Sequence, residues 1–206
     1  ANAIEIANSS ANVSIGNLTT TLSSTSTIPA SIGGCEVLLD THTANNDTAT
    51  LEVDLTQYST FETYRIRFVG WVPASDDKNF YMKAGTASNN INTSYRTSGN
   101  NAYYNGTSAG DTSAATASML LRANAVGGEA DYEGLCLDGF VYEPRDSTKR
   151  TRASAHINYY DASNYTRTYN MSGMAIPRQD DAYWHFTWES SVNTSTGKFY
   201  LYGIKN

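Results

Sequence analysis

Three histidines are the side chains of this sequence best suited to proton transfer or metal binding. They are His42, His156 and His185. A metal or acid–base site needs partners at a defined spacing, as in His-Glu-x-x-His or Cys-x-x-Cys. No two of the histidines stand at such a spacing, and neither pattern occurs. His156 and His185 fall on the polar sides of expected strands, which indicates solvated surface residues. The sequence therefore predicts no metal site and no cofactor.

Paired carboxylates are the second possible source of chemistry, because glycosidases work with two such groups. The candidates are Asp76-Asp77, Asp180-Asp181 and the looser group Glu129, Asp131 and Glu133. All of them stand in turn-like sequence, where an Asp usually caps the backbone or stays in solvent. We interpret them as turn residues and expect no catalytic pair. A calcium site at one of these turns is an open alternative.

The three tryptophans could form a platform on which sugars stack. Trp184 and Trp188 alternate with polar residues and share a side with Phe186, which is the pattern of a core-facing strand side. Trp71 instead falls on the side of Arg65 and Arg67. The sequence therefore predicts two buried tryptophans and one exposed tryptophan, Trp71.

The segment 85–115 is rich in Gly, Ser, Thr and Asn, has no apolar run and carries Tyr95, Tyr103 and Tyr104. We interpret it as a long loop leaving the main fold, and long ordered loops are often functional. Tyr combined with Ser, Gly and Asn suits adaptable binding, as in antibody loops. These three tyrosines and Trp71 form one candidate binding surface.

Composition favours an all-β protein. Charged residues make up 17% of the 206 residues, and Ser, Thr and Asn replace the missing charge, while Tyr occurs 15 times. Such residues are disfavoured in helix interiors and fit the partly solvated surface of a β-sheet. The net charge is −6, and the one dense basic stretch, 145–152, resembles a solvated hairpin loop. Nucleic acid and anionic membrane surfaces are therefore not expected partners.

The two cysteines, Cys35 and Cys136, are too few for a disulfide framework. Cys136 lies in an apolar strand, so we expect a buried thiol. A bridge between the two cysteines is left open, because its geometry cannot be judged from sequence.

The chain divides into an extended N-terminal arm at residues 1–33 and a β-sandwich domain at 34–206. The arm is polar and lacks aromatics, but its aliphatic residues alternate at Ile4/Ile6 and Val13/Ile15. This alternation favours an arm that orders by pairing with a neighbouring subunit; a disordered leader is the alternative. No signal peptide or membrane span is expected.

The remainder is a succession of short apolar segments separated by turn residues, which is typical of a sandwich or barrel. The predicted strands are 35–41, 48–55, 62–72, 78–84, 116–123, 134–143, 151–160, 164–173, 182–190 and 198–204. Several of them alternate between apolar and polar residues, so each sheet has one apolar face that another layer must cover.

Four stretches together resemble a module of tailed-bacteriophage virion proteins. They are Leu38-Leu39-Asp40-Thr41, the pair of segments 51–54 and 58–64, the stretch Ile66 to Asp76 (IRFVGWVPASD), and the terminus Gly197 to Ile204 (GKFYLYGI). The resemblance covers residues 36–206 and leaves the arm outside. It implies a β-sandwich of jelly-roll type in a phage head or tail, assembled in the bacterial cytoplasm. Its motifs are packing and turn positions, so it carries no catalytic residue.

The first functional hypothesis is a non-enzymatic capsid decoration or cement protein in the virion. Its arm, through Ile4, Ile6, Val13 and Ile15, would anchor it to the shell built by the major capsid protein. Binding only to the assembled shell would stabilise that state.

The alternative hypothesis is a tail-fibre or receptor-binding tip that recognises host-surface glycans through Trp71 and the three tyrosines. A homo-oligomer, for example a trimer, fits both virion hypotheses by analogy. A polysaccharide depolymerase is the enzyme hypothesis, and it is disfavoured because no acid pair is identifiable in the sequence.

Overall fold

The computed structural model describes residues 36–103, 108–128, 133–163 and 165–204, with the backbone alone at 111–115 and 122–125. The predicted arm, with Ile4, Ile6, Val13 and Ile15, lies outside the described residues, as do Cys35 and Tyr104. Two short 3-10 turns, 56–58 and 189–191, accompany the strands in the described part. The strands are β1 (Glu36–Ala44), β2 (Thr50–Asp54), β3 (Thr63–Pro73), β4 (Lys78–Ala87), β5 (Asn90–Ile91), β6 (Tyr95–Tyr103), β7 (Ser108–Thr116), β8 (Met119–Val126), β9 (Gly134–Tyr142), β10 (Arg152–Tyr160), β11 (Thr166–Ala175), β12 (Tyr183–Trp188) and β13 (Thr194–Ile204).

The strands form two antiparallel sheets. The larger sheet has the order β1-β13-β3-β9-β10-β11-β6-β7, and the smaller has the order β2-β12-β4-β5 with β8 also paired to β4. Within them, β1-β13-β3-β9 faces β2-β12-β4-β8, and the chain changes sheet between successive members of this set except from β4 to β8, which pair with each other. That is the order of a jelly roll. The predicted jelly-roll-like sandwich is confirmed, and each of the ten predicted strands has a counterpart.

Strands β5 to β7 correct the interpretation of 85–115 as a long loop. Together with the hairpin β10–β11, the strands β6 and β7 extend only the larger sheet. β6 was not predicted from the sequence because its inward positions are mostly polar. Thr97 and Asn101 are buried there beside Tyr95. Gly99 leaves room for the ring of Tyr169, since a Cβ there would lie 2.2 Å from the Tyr169 hydroxyl oxygen.

The two sheets are joined by a cluster of aromatic rings centred on Phe68 of β3. Its ring centroid lies 5.1 Å from those of Phe80 and Phe186 in the smaller sheet and 4.9 Å from that of Phe199 in the larger. All four side chains are at most 1% exposed. Burial of each contributes about 1.5–3 kcal/mol to stability. Trp184 and Trp188 are also buried, as predicted from their alternation.

A β-bulge reverses the alternation of β3 and overturns the expectation for Trp71. Gly70 has a φ of +56°, and the pairing of β3 with β9 shifts between Phe68 and Trp71. Val69 is consequently 42% exposed, whereas Trp71 is 1% exposed and packs its ring 5.1 Å from that of Phe68. The prediction of an exposed Trp71 was wrong. It assumed that side chains alternate strictly between the two sides of β3, and the extra residue of the bulge moves the side chains after it to the opposite side.

The expectation that the thiol of Cys136 is buried was also wrong. It is an exposed free thiol, because it occupies an outward position of β9 between the buried Leu135 and Leu137.

The bulge should make Gly197 intolerant of any side chain. A Cβ at Gly197 would lie 2.7 Å from the Gly70 carbonyl oxygen, and the φ of Gly197 is +136°. We expect Gly197→Ala to lower the free energy of unfolding by at least about 3 kcal/mol, measured by chemical denaturation. Gly110→Ala is the matched control, because a Cβ there meets nothing within 4 Å. Equal stability of the two variants would contradict this account of the bulge.

Candidate functional site

The outward side of the larger sheet carries the most distinctive exposed chemistry in the described part of the chain. We call this surface the outer face. Cross-strand pairing fixes which residues are neighbours on it. One row runs Tyr142, Arg152, Met174 and Arg96, from β9 through β10 and β11 to β6. The face therefore combines positions that are far apart in the sequence.

One half of the outer face carries aromatic pairs with an arginine between them. The rings of Phe140 and Tyr142 stack at 6.2 Å, and those of Tyr200 and Tyr202 at 6.5 Å. Arg65 is the cross-strand neighbour of both Tyr202 and Phe140, and its guanidinium lies 5.9 Å from the Phe140 centroid. These partly exposed rings offer flat apolar surfaces beside a fixed positive charge.

Arg65 is held in place by two carboxylates. Its Nε donates to Asp138 Oδ1 at 2.7 Å, and its Nη1 donates to Glu36 Oε1 at 2.8 Å. The hydrogen bond from Arg65 lowers the pKa of Asp138. The positive charge of Arg65 is thus largely neutralised by Asp138 and Glu36.

The middle of the outer face is a row of mutually bonded polar side chains. His156 Nδ1 lies 2.7 Å from Asn170 Oδ1, and its Nε2 lies 3.3 Å from Asn158 Nδ2. Thr168 donates to Asn158 Oδ1 at 3.0 Å. His156 is exposed, as predicted. Its ring takes part in a ladder that joins β10 to β11, which is a structural role.

A groove with a volume of about 550 Å³ lies at one end of the outer face. We call it the Arg96 groove. Its lining residues are Arg96, Thr97, Ser98, Tyr142, Arg152, Ala153, Ser154, Ser172, Gly173 and Met174. A second cavity of about 350 Å³ lies beside Gly134 and the exposed Cys136. The Arg96 groove is the more suitable for a ligand, because two arginines and three serine hydroxyls converge on it.

Trp71, Tyr95 and Tyr103, the described members of the candidate binding surface, do not form one exposed surface. Tyr95 is fully buried: its hydroxyl donates to Ala84 O at 2.9 Å and accepts from Ala84 N at 2.8 Å. Its assignment to an exposed loop was wrong. Tyr103 is partly exposed, with the guanidinium of Arg167 4.7 Å from its ring centroid. Trp71 and Tyr95 are both core residues, so the predicted surface is not present as proposed.

The interpretation of His185 as a solvated surface residue was wrong. Its side chain is only 16% exposed, and its Nε2 lies 3.6 Å from Glu52 Oε1. Burial lowers the pKa of His185, which Glu52 partly opposes. His42 is partly buried, with Nε2 3.0 Å from Thr48 Oγ1. Among the residues that the structure describes, no three His, Cys, Asp or Glu side chains are grouped to hold a metal ion.

The candidate carboxylates separate into turn residues and two buried groups, Asp181 and Glu133, the latter 7% exposed. Asp76 Oδ1 accepts a hydrogen bond from the Gly128 backbone amide at 2.6 Å. Asp77 has a φ of +62°, which is typical of turn residues. Asp180 pairs with Arg145, whose Nε lies 2.5 Å from Asp180 Oδ1. Asp181, by contrast, is 0% exposed and is bonded by side chains, so the expectation of a turn carboxylate that caps the backbone or stays in solvent was wrong for it.

The Asp181 carboxylate accepts three side-chain hydrogen bonds. Its Oδ1 accepts from Asn92 at 2.9 Å and from Gln179 at 3.0 Å, and its Oδ2 accepts from Thr151 at 2.5 Å. Burial raises its pKa despite these donors. The donors hold the carboxylate in the interior, where it joins the segment after β11 to the start of β10.

Residues 106–110, Gly-Thr-Ser-Ala-Gly, match the Gly-x-Ser-x-Gly pattern of serine hydrolases. In those enzymes the serine stands on a sharp turn from a strand into a helix. Here Ser108 begins β7 and is the cross-strand neighbour of Ala102, so the local context does not fit a nucleophile.

Comparison with protein-family models, with curated proteins and with solved structures found no match to this chain. In the described residues no helix has the length and apolarity needed to cross a membrane.

Stability should depend on pH through Asp181. A carboxylate with a raised folded-state pKa binds its proton more tightly when folded, so stability falls as pH rises from the ordinary Asp pKa through the raised one. We therefore expect the unfolding free energy of wild type, relative to Asp181→Asn, to decline over that range. Denaturant titrations at successive pH values measure it, with the exposed Asp77→Asn as the control for loss of one charge. A difference that rises with pH would contradict the buried carboxylate's role.

Proposed function

We propose that this chain is a non-enzymatic structural protein of a tailed-bacteriophage virion, and specifically a capsid decoration protein that binds the assembled shell. The virion assignment is supported by the resemblance of the sequence to phage virion modules. The segments that carry it, IRFVGWVPASD and GKFYLYGI, lie on β3 and β13, which pair with each other. They supply Phe68, Trp71 and Phe199 to the core, so the resemblance concerns the framework of the sandwich.

The observation that carries the docking role is the breadth of the outer face. Eight strands at spacings of about 4.8 Å make it about 34 Å wide, and strands of about nine residues make it about 30 Å long. That area exceeds the roughly 800 Å² that each partner contributes to a standard interface. Exposed Val69 and Leu38 and the partly exposed Tyr200 and Tyr202 supply apolar contact within it.

The proposed partners are the major capsid protein and other copies of this chain. In this proposal the arm, with Ile4, Ile6, Val13 and Ile15, anchors the protein by strand pairing, and the sandwich is displayed on the particle. The proposed location is the virion, assembled in the host bacterial cytoplasm. A trimer would suit threefold positions of a shell.

A receptor-binding tail protein is the second candidate, and one observation favours it. The outer face presents stacked aromatic rings beside arginines and amide side chains, which is a composition that suits glycans. In this version the ligand surface consists of outer-face residues, because Trp71 and Tyr95 are buried.

The number of copies per particle separates the two candidates. Quantitative mass spectrometry of purified virions should find hundreds of copies if the protein decorates the head. A few tens or fewer would indicate the tail candidate, and absence from virions would refute both.

Deletion of residues 1–30 tests the anchor. We expect the shortened protein to keep the cooperative unfolding of the sandwich and to lose binding to isolated shells, measured by co-sedimentation. Binding at the wild-type level would show that the arm is not the anchor.

A further inference from the structure

We propose that the Arg96 groove binds a carboxylated saccharide, and that Arg96 contacts the carboxylate. This goes beyond the virion proposal and does not depend on it, because the argument uses the groove alone. The site brings together the ends of β9, β10, β11 and β6 on the outer face.

Charge is the first reason. Arg96 and Arg152 are the charged residues among those that line the groove, although the chain as a whole has a net charge of −6. A local excess of positive charge on an acidic protein attracts anions to that place and away from the remaining surface.

The two arginines differ in how far they are already engaged. Arg152 donates to Glu143 at 2.6 Å, and its guanidinium lies 5.9 Å from the Tyr142 ring centroid. Arg96 is exposed, and its guanidinium makes no hydrogen bond or ion pair with the side chains that the structure describes. A free guanidinium can bind a carboxylate through two parallel hydrogen bonds, so Arg96 is the residue available to an acidic ligand.

Hydroxyl groups adjoin Arg96 in a regular row. Ser154, Ser172 and Ser98 are cross-strand neighbours on β10, β11 and β6. Ser154 Oγ lies 3.2 Å from the Tyr142 hydroxyl oxygen, while the Ser172 and Ser98 hydroxyls are unbonded within the described residues. Each hydroxyl can donate and accept. The strand spacing of about 4.8 Å is close to the length of one pyranose unit, so successive serines can meet successive sugar hydroxyls.

The apolar part of the groove distinguishes a sugar from a simple anion. Met174, Ala153 and the ring of Tyr142 line it together with the polar groups. A pyranose ring presents C–H groups that pack on such surfaces, whereas inorganic phosphate does not use them. The volume of about 550 Å³ also lies within the usual range for small-molecule sites.

Isothermal titration calorimetry on the purified full chain tests the proposal. The probes are trigalacturonate, a hyaluronan tetrasaccharide and sialyllactose, each compared with a neutral oligosaccharide of equal length. We expect at least one acidic probe to bind, at least about tenfold more tightly than its neutral counterpart. Inorganic phosphate at the same concentration should not displace it.

Two charge-removing variants identify the residue. Arg96→Gln should weaken binding about tenfold or more, because a charge-assisted hydrogen bond is lost. Lys198→Gln removes one positive charge from the same face, about 24 Å away by strand spacing, and should bind as wild type does. Arg96→Lys keeps the charge without the fork and should fall between them. Unchanged thermal unfolding of Arg96→Gln would show that the fold is intact.

Three results would overturn the proposal. They are no binding by any acidic probe, equal weakening by Arg96→Gln and Lys198→Gln, and full displacement by phosphate, which would reduce the groove to a general anion site. None of them bears on the copy number of the protein in virions, so the two proposals can fail separately.

Discussion

The packing of Phe68 between the two sheets is the constraint on which the remaining structure depends. It places an aromatic ring of β3 against rings from β4 and β12 on one side and β13 beside it. Substitution of such a residue by alanine costs about 3–5 kcal/mol, a large part of a typical domain's stability. The bulge at Gly70 contributes to the same packing, because it turns the side chain of Trp71 inward against Phe68.

Much of the framework was accessible from sequence because its strands alternate regularly. The tryptophans of β12 alternate with polar residues without interruption, so their burial was predicted correctly. The burial of Trp71 was not predicted because the sequence alone does not reveal the bulge, which depends on the close approach of Gly197 on β13 to Gly70 on β3. β6 was missed because its interior is satisfied by hydrogen bonds and shape, with Asn101 accepting from Tyr159 at 3.4 Å, instead of by apolar side chains.

The candidate site was harder to predict than the fold. Arg96 and Arg152 stand 56 positions apart in the sequence, and only the strand order β10-β11-β6 makes them part of one groove. The burial of Asp181 was hidden in the same way, since its donors come from separate segments: Thr151, Asn92 and Gln179. Turn-like sequence gives the position of such a carboxylate along the chain but not what folds over it.

The strands that extend the larger sheet keep the Arg96 groove apart from the aromatic core. β6 and the hairpin β10–β11 lie outside the eight-strand jelly-roll set, yet they supply most of the Arg96 groove. They rest on β8 through buried side chains such as Met119 and Tyr169. The side chains of the groove can therefore be exchanged without altering the aromatic cluster around Phe68, which lies on β3, β4, β12 and β13.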